Sequence, residues 1–367
     1  MMRKLLAMAL VVAVGAGPAL GQAKPAGRVE VVAPGPAVNP IRGSEITEAQ
    51  KAAVERGLAW LASRQGPDGG FGGGFGSGGK HAGITAMAGL AFMQAGNLPG
   101  RGKYGVNVRK ALEFVLRSTS ESGLIASDSS ASPMYGHGFA TLFLAEVYGM
   151  SPDDEVKEKL QRAVRLIIRS QNNEGGWRYQ PVPEDADISV TICQIMALRA
   201  ARDAGIKVDK SVMDRAVQYI KNCQNADGGF SYMARMNGMG MGGGQSGYAR
   251  TAAGVASFFY AGIYEGDDVK RGLNYMKQYI PGKSAAPEGE SHFYYGHYYG
   301  VQAMFLAGGE YWGVYYPAIR DILIARQTAA GSWTEEFNEE YATSMALLIL
   351  QMPNRYLPVF TGKGPGS

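Results

Sequence analysis

The sequence predicts an all-α chain folded as an α6–α6 toroid, a barrel of six helical hairpins with inner and outer helix rings. Three observations carry this prediction. A motif recurs as Gln65-Gly-Pro-Asp-Gly-Gly-Phe71, Gln171-Asn-Asn-Glu-Gly-Gly-Trp177, Gln224-Asn-Ala-Asp-Gly-Gly-Phe230 and Gln327-Thr-Ala-Ala-Gly-Ser-Trp333. A degenerate copy at Thr119–Ile125 keeps Gly123, so successive starts lie 54, 52, 53 and 103 residues apart, the last twice the period. Apolar residues at helical spacing flank every copy, and no run alternates as a strand would.

Six units of this length occupy residues 44–355. Each unit begins with a helix ending at or just before the motif: Thr47–Arg64, Val106–Ser118, Asp153–Ser170, Lys210–Cys223, Asp267–Tyr279 and Val314–Arg326. These are amphipathic, as where Ala163, Leu166 and Ile167 oppose Arg162, Arg165 and Arg169. A fifth unit without the motif fits the double gap, with Pro281–Ser291 in its place. The second helices are expected at His81–Ala95, Gly136–Tyr148, Ile188–Ala204, Tyr248–Tyr264, Gly296–Gly308 and Glu340–Gln351. They are apolar nearly all round and must be buried, so they form the inner ring. A linear solenoid needs polar terminal repeats. Units one and six lack a polar face, which favours closure.

The string Arg162-Ala-Val-Arg-Leu-Ile-Ile-Arg-Ser-Gln171…Gly175-Gly-Trp177 resembles the QW repeat of squalene–hopene and oxidosqualene cyclases. The hairpin is similar to that of protein prenyltransferase β subunits. The resemblance spans about residues 47–352 and implies an α/α toroid with a central apolar cavity. It implies an apolar or isoprenoid-like small molecule as ligand and, if turnover occurs, a terpenoid-cyclase-like isomerase or lyase. The residues themselves leave catalysis open. The repeat glutamines and aromatics have a structural task, since amides satisfy orphan groups at helix ends and rings fill gaps between hairpins.

The inner helices all start after the Gly-rich turns, so their N-termini share one mouth. The polar groups there are His81, Tyr135 and His137, Asp185 and Asp187, Tyr248 and Arg250, Tyr295 and His297, and Glu339-Glu340. Tyr-Gly-His occurs twice, 160 residues or three units apart, so His137 and His297 are expected to face one another across the mouth. Asp187 and Glu339 are likewise half a ring apart, an acid pair suited to acid/base work or to a polysaccharide-active enzyme. Asp185-Ala186-Asp187-Ile188-Ser189 is similar to the Asp-x-Asp-Asp-Thr motif of class II cyclases. That resemblance implies Asp187 as the proton donor and Asp185 as its partner, although Ile188 replaces the last aspartate. Asp187 is equally suited to capping the helix that follows. His81, Tyr135, Tyr248, Arg250, Tyr295 and Tyr298 are candidate ligand contacts. The tyrosines suit a peptide or glycan as well as an apolar molecule, so a non-catalytic binding toroid is the second reading.

No metal or cofactor is expected. The prenyltransferase zinc site has no counterpart, because Tyr248-Ala249-Arg250 stands where an Asp-x-Cys pair would be needed. Cys193 and Cys223 supply no disulfide framework. Gly74–Gly79 matches a dinucleotide fingerprint but follows no strand. It and Asn237–Gly247 read as glycine-rich loops near the mouth.

Residues 1–23 read as a signal peptide: Arg3 and Lys4, an apolar run from Leu5 to Val14, then small residues. Export is therefore expected, to the periplasm or beyond, with residues 24–43 a flexible lead-in and 356–367 a tail. The net charge of +4 falls to +2 without Arg3 and Lys4, so there is no electrostatic case for nucleic acid.

Overall fold

The structure, a computed structural model, describes residues 45–72, 79–127, 132–234, 244–282, 292–335 and 338–361. The expected signal peptide and lead-in lie outside these residues, as do most of both glycine-rich loops and of the Pro281–Ser291 loop. Among the described residues there are twelve α-helices and no strand. The outer helices are α1 (Glu48–Arg64), α3 (Gly105–Arg117), α5 (Asp154–Arg169), α7 (Lys210–Asn222), α9 (Asp267–Lys277) and α11 (Gly309–Arg326). The inner helices are α2 (Ala82–Gln94), α4 (Pro133–Met150), α6 (Ile188–Asp203), α8 (Tyr248–Tyr260), α10 (Phe293–Ala307) and α12 (Glu339–Leu350). Each inner helix packs on the next, and α12 packs back on α2, so the ring is closed. None of the described helices is long and apolar enough to cross a membrane.

The motif explains the closure. Each motif glutamine turns its amide nitrogen to two carbonyls, one in its own turn and one near the start of the next outer helix. Gln65 donates to Gly69 and Asn107, Gln171 to Gly175 and Val212, and Gln224 to Gly228 and Asp268. Gln327, in the last unit, donates to Gly331 and to Ala53 in the first. The ring therefore closes with the same stitch that joins consecutive units. The motif glycine has to be glycine: Gly175 has φ 98° and its α-hydrogen faces the Arg215 carbonyl, where a Cβ would collide. Gly331 meets the Arg56 carbonyl in the same way.

The motif aromatic then locks the inner helix to the outer one. Trp177 and Trp333 are wholly buried, and their indole N–H groups donate at 2.7 Å to Ile167 and Leu323 at the ends of their own outer helices. The backbone N–H of the aromatic donates to a threonine one turn into the inner helix. Phe71 pairs with Thr85, Trp177 with Thr191, Phe230 with Thr251 and Trp333 with Thr343.

Ten helices follow the sequence expectation closely or extend it by a few residues, while α8 and α11 depart from it. Helix α8 stops at Tyr260, followed by Gly262 at φ 90°, rather than running to Tyr264. Helix α11 begins at Gly309 and carries Pro317 inside it, where Val314 was expected to start it.

The inner ring is buried as expected, with every residue of α2 out of solvent. Its axis, however, is filled. Tyr298 on α10 meets Phe139 on α4, half a ring away, with ring centroids 5.9 Å apart. The Tyr299 hydroxyl lies 3.3 Å from Cys193 Sγ and Tyr295 donates to the Ser189 carbonyl at 3.0 Å, both reaching α6 past α8. The open central cavity implied by resemblance is closed at this level by aromatic side chains. The chain end also joins the core: Leu357, Val359 and Phe360 are buried, and Phe360 packs edge-on against Tyr298. Through residue 361 the expected tail is thus part of the folded body.

Candidate functional site

The mouth is built from helix starts and the turns before them. Asp187 caps α6, its Oδ1 accepting from the backbone N–H of Ser189 at 2.8 Å and of Val190 at 2.9 Å. The local chain is pinned on both sides, Asp187 N–H donating to the Trp177 carbonyl and Ile188 N–H to that of Tyr232. This leaves Asp187 wholly buried. Its Oδ2 has no hydrogen bond of normal geometry and lies beside the Tyr232 hydroxyl, 3.7 Å from Arg178 Nε. Burial pushes the carboxyl up to about 6, against the opposing pull of the two capping N–H groups, Tyr232 and Arg178.

Arg178 is the hub. It pairs with the exposed Asp185 at 2.5 Å, and its guanidinium lies 4.9 Å from the Tyr179 ring and 5.9 Å from that of Tyr232. The hydroxyls of Tyr179 and Tyr232 are hydrogen-bonded to each other. Tyr135 approaches from α4, its ring 6.0 Å from Tyr179. Tyr295 on α10 is near enough to Asp187 and Tyr135 for ionised forms to repel, and burial pushes its hydroxyl well above the ordinary value. Tyr341 on α12 lies near Cys193 and Tyr298. Tyr135, Tyr179, Tyr232, Tyr295 and Tyr341 are all half-buried. They form a polar–aromatic rim above the Phe139–Tyr298 contact.

Of the candidates read from the sequence, Asp185, Asp187, Tyr135 and Tyr295 come together here, and Tyr298 lies beneath them as the floor. The two imidazoles do not face one another. His137 turns to the outer ring, its Nδ1 accepting from Ile125 N–H at 3.1 Å and its Nε2 facing the Ala163 carbonyl of α5. His297 Nδ1 is 2.7 Å from the hydroxyl of Tyr315 on α11 and 3.3 Å from that of Tyr248. The reason is positional: both are the fifth residue of their helix, as Thr343 is of α12, and so stand where the threonines of other units meet the motif backbone. Both are buried, which lowers His137 to about 4 and His297 to about 3, so both are neutral.

The remaining candidates serve local structure. His81 caps α2 through Nδ1, accepting from Gly83 and Ile84. Tyr248 is buried in the wall against Tyr315 and His297. Arg250 donates to the Gln245 carbonyl. Glu339 accepts from Ser332 in its own unit at 2.6 Å. Asp187 and Glu339 are each tied into separate units.

Arg178, Tyr179, Tyr232 and Tyr341 were not singled out from the sequence. A signal existed for two of them, because Tyr179 and Tyr232 each stand two residues after the motif aromatic.

Residues 41–207 match the prenyltransferase alpha-alpha toroid domain model, and residues 144–305 match that of the squalene-hopene cyclase C-terminal domain. No curated protein matches the sequence. An inactive variant of an α-1,6-mannanase from Salegentibacter sp., in complex with α-1,6-mannotriose, is similar in structure (TM-score 0.64, 9% identity, 84% of this chain and 99% of that one). A glycoside hydrolase family 76 mannosidase from Bacteroides thetaiotaomicron matches with TM-score 0.62 at 10% identity, over 84% of this chain and 98% of its own. The type II terpene cyclase MstE from Scytonema matches with TM-score 0.58 at 15% identity, over 85% of this chain and all (100%) of that one. At these identities the likeness concerns the fold.

Proposed function

We propose that this protein is an exported ligand-binding toroid that takes a saccharide at the inner-helix mouth. One observation carries the reading. Half-buried Tyr135, Tyr179, Tyr232 and Tyr295, from four different units, surround an arginine–carboxylate cluster, while the axis beneath is occupied by Phe139 and Tyr298. Tyrosine faces stack on the apolar faces of sugar rings and their hydroxyls bond to sugar hydroxyls. Arg178 and Asp185 add a donor and an acceptor at the rim. A filled axis suits a ligand held at the entrance better than one engulfed. The mannotriose-bound mannanase of similar fold supports the ligand class. Titration calorimetry of the secreted protein against a panel of linear oligosaccharides tests this. Binding that is lost in both Tyr135→Ala and Tyr232→Ala, with folding retained, supports it, and no heat with any saccharide overturns it.

A second reading is favoured by one feature of Asp187. A buried carboxyl raised to about 6 with an oxygen lacking a normal hydrogen bond is what proton donation to an alkene would use. Incubation with squalene or a shorter isoprenoid separates the readings. Cyclised product from the parent protein and none from Asp187→Asn would establish acid catalysis.

A further inference from the structure

The six seams between units are not alike. The carbonyl that a stitching glutamine reaches in the next unit lies twelve residues before that unit's own motif glutamine, as Ala53 does before Gln65 and Val212 before Gln224. The Asp268 carbonyl, reached by Gln224, therefore puts Ile280 at the glutamine position of unit five. Counting back from Gln327 makes Tyr315 its partner in unit six. Isoleucine has no amide with which to reach it. Ala318 also stands where Arg56, Arg215 and Arg271 each hold the preceding glutamine's side-chain oxygen. Between units two and three, where Thr119 replaces the glutamine, Gly123 still packs on the Arg162 carbonyl. Unit five has no motif glycine in its sequence.

A cavity of about 160 Å³ lies at this seam. It passes between α9 and α11 and reaches the inner ring at Met304 of α10. Its walls are Ile280, Met304, Val314 and Tyr315. Tyr315 is wholly buried, and its hydroxyl is held by His297 and Tyr248, so that wall is fixed. An apolar cavity of about 150 Å³ holds a body the size of benzene, which is room for about four to six carbons. Lys277, Glu310 and Tyr311 form the rim. Lys277 Nζ lies 3.5 Å from Glu310 Oε2 and 4.5 Å from the centre of the Tyr311 ring. Such a solvated ion pair stabilises little and parts readily. The seam thus presents an ammonium and a carboxylate side by side above an apolar slot.

We propose that the seam between units five and six binds a free α-amino acid with an apolar side chain the size of leucine or methionine. The ligand carboxylate takes Lys277, and the ligand ammonium takes Glu310 and the face of Tyr311. The side chain enters between Ile280 and Val314 to meet Met304. A saccharide would bury hydroxyls against these walls without partners, so the site differs from the mouth in chemistry as well as in place.

The test uses the whole protein labelled at its methionine methyls, with the Met304 resonance identified through Met304→Leu and followed by NMR. Leucine should shift that resonance saturably. 4-Methylpentanoate, without the ammonium, and isoamylamine, without the carboxylate, should each bind roughly tenfold more weakly. Glycine, without a side chain, should leave the resonance unmoved. Ile280→Gln restores the missing amide, so it should abolish the leucine shift while melting no lower than wild type. Absence of a shift with leucine overturns the proposal, as does equal binding of leucine and its two singly charged analogues, or retention of binding in Ile280→Gln. Should Ile280→Gln not fold, the rim decides. Lys277→Gln should weaken leucine roughly tenfold yet leave isoamylamine unchanged. Unchanged leucine affinity in that variant overturns the assignment. None of these readouts depends on what binds at the mouth.

Discussion

Phe139 and Tyr298 stand on helices half a ring apart, yet their aromatic rings meet 5.9 Å apart across the barrel axis. No wall contact could join α4 to α10, which are separated by two inner helices on either side. The pair is therefore a strut as well as a floor. Tyr298→Ala should leave a central void and cost about 3–5 kcal/mol, whereas Tyr298→Phe, losing the hydroxyl's contacts to Met196 Sδ and the Gln302 amide, should cost no more than about 1.5 kcal/mol. Urea unfolding followed by circular dichroism measures both. Similar losses for the two variants would mean that the hydroxyl, and not the ring, holds the axis.

Asp187 should separate its capping and charge roles by substitution. Asparagine caps nearly as well as aspartate, while alanine does not, so Asp187→Ala should cost about 1 kcal/mol and Asp187→Asn little. The charge adds a pH signature. The folded pKa is raised, so the native state holds its proton more tightly, and stability declines as pH rises from the unfolded value of 3.8 through about 6. Asp187→Asn should remove that decline, and melting temperatures at pH 4 and pH 7.5 would show it.

His137 carries the opposite sign. Its folded pKa is lowered from 6.5 to about 4, so across that window the unfolded chain binds more protons, and stability falls as pH falls. Threonine fills the equivalent position in four other units and should still accept from Ile125 N–H. His137→Thr should therefore flatten the acid limb of the stability profile by up to about 1.4 kcal/mol per pH unit, leaving the slope due to His297. An unchanged slope would mean that this imidazole is charged in the native protein.

The orientation of the histidines shows where the sequence was legible and where it was not. The period, the motif and the burial of one helix set identified the closed ring, because each depends on local chemistry that repeats. The direction of a side chain does not follow from its unit number. Placing Tyr-Gly-His in opposite units said only that His137 and His297 lie on opposite sides, not that they point inward. Counting four or five residues into each helix, beside Thr85, Thr191, Thr251 and Thr343, would have turned both outward. The Arg178 hub was hidden for a related reason. Arg178 and Tyr179 sit in a turn whose path depends on the next unit, through the Tyr232 carbonyl bonded to Ile188. Helix α11 starts at Gly309, before the Val314 expected from the sequence. Gly308 and Gly309, at φ 68° and 50°, turn the chain sharply from α10 and start α11 early.

Glu146 should report on the far end of the ring. Burial raises its carboxyl to about 8, so it is protonated at neutral pH, and stability is lost as pH rises from 4.5 through about 8. Glu146→Gln keeps an acceptor for Val359 N–H and cannot ionise. The variant should match wild type at pH 5 and melt higher at pH 9. A variant equally weakened at both values would indicate that the carboxyl, in either form, makes contacts an amide cannot reproduce.

Ring closure gives a comparison between two glutamines. Gln171 joins unit three to unit four, and Gln327 joins unit six to unit one, with the same pair of carbonyls satisfied at 2.8–2.9 Å in each case. Their side-chain carbonyls also accept in matching ways, from Arg215 and from Arg56. If closure is energetically equivalent to an ordinary step, Gln171→Ala and Gln327→Ala should each cost about 1–3 kcal/mol, because each leaves two partly buried carbonyls without a donor. The glycines sharpen the comparison. Gly331→Ala combines a φ of 96° with a collision against the Arg56 carbonyl, whereas Gly100→Ala meets a φ of 74° with nothing within 4 Å of the added methyl. Gly100→Ala should cost only the left-handed penalty of about 1–2 kcal/mol, and Gly331→Ala distinctly more. Denaturant midpoints of the four variants decide the matter. A Gln327→Ala protein as stable as wild type, beside a weakened Gln171→Ala, would mean that the first and last units are held by the inner-helix contact of α12 with α2 and not by the stitch.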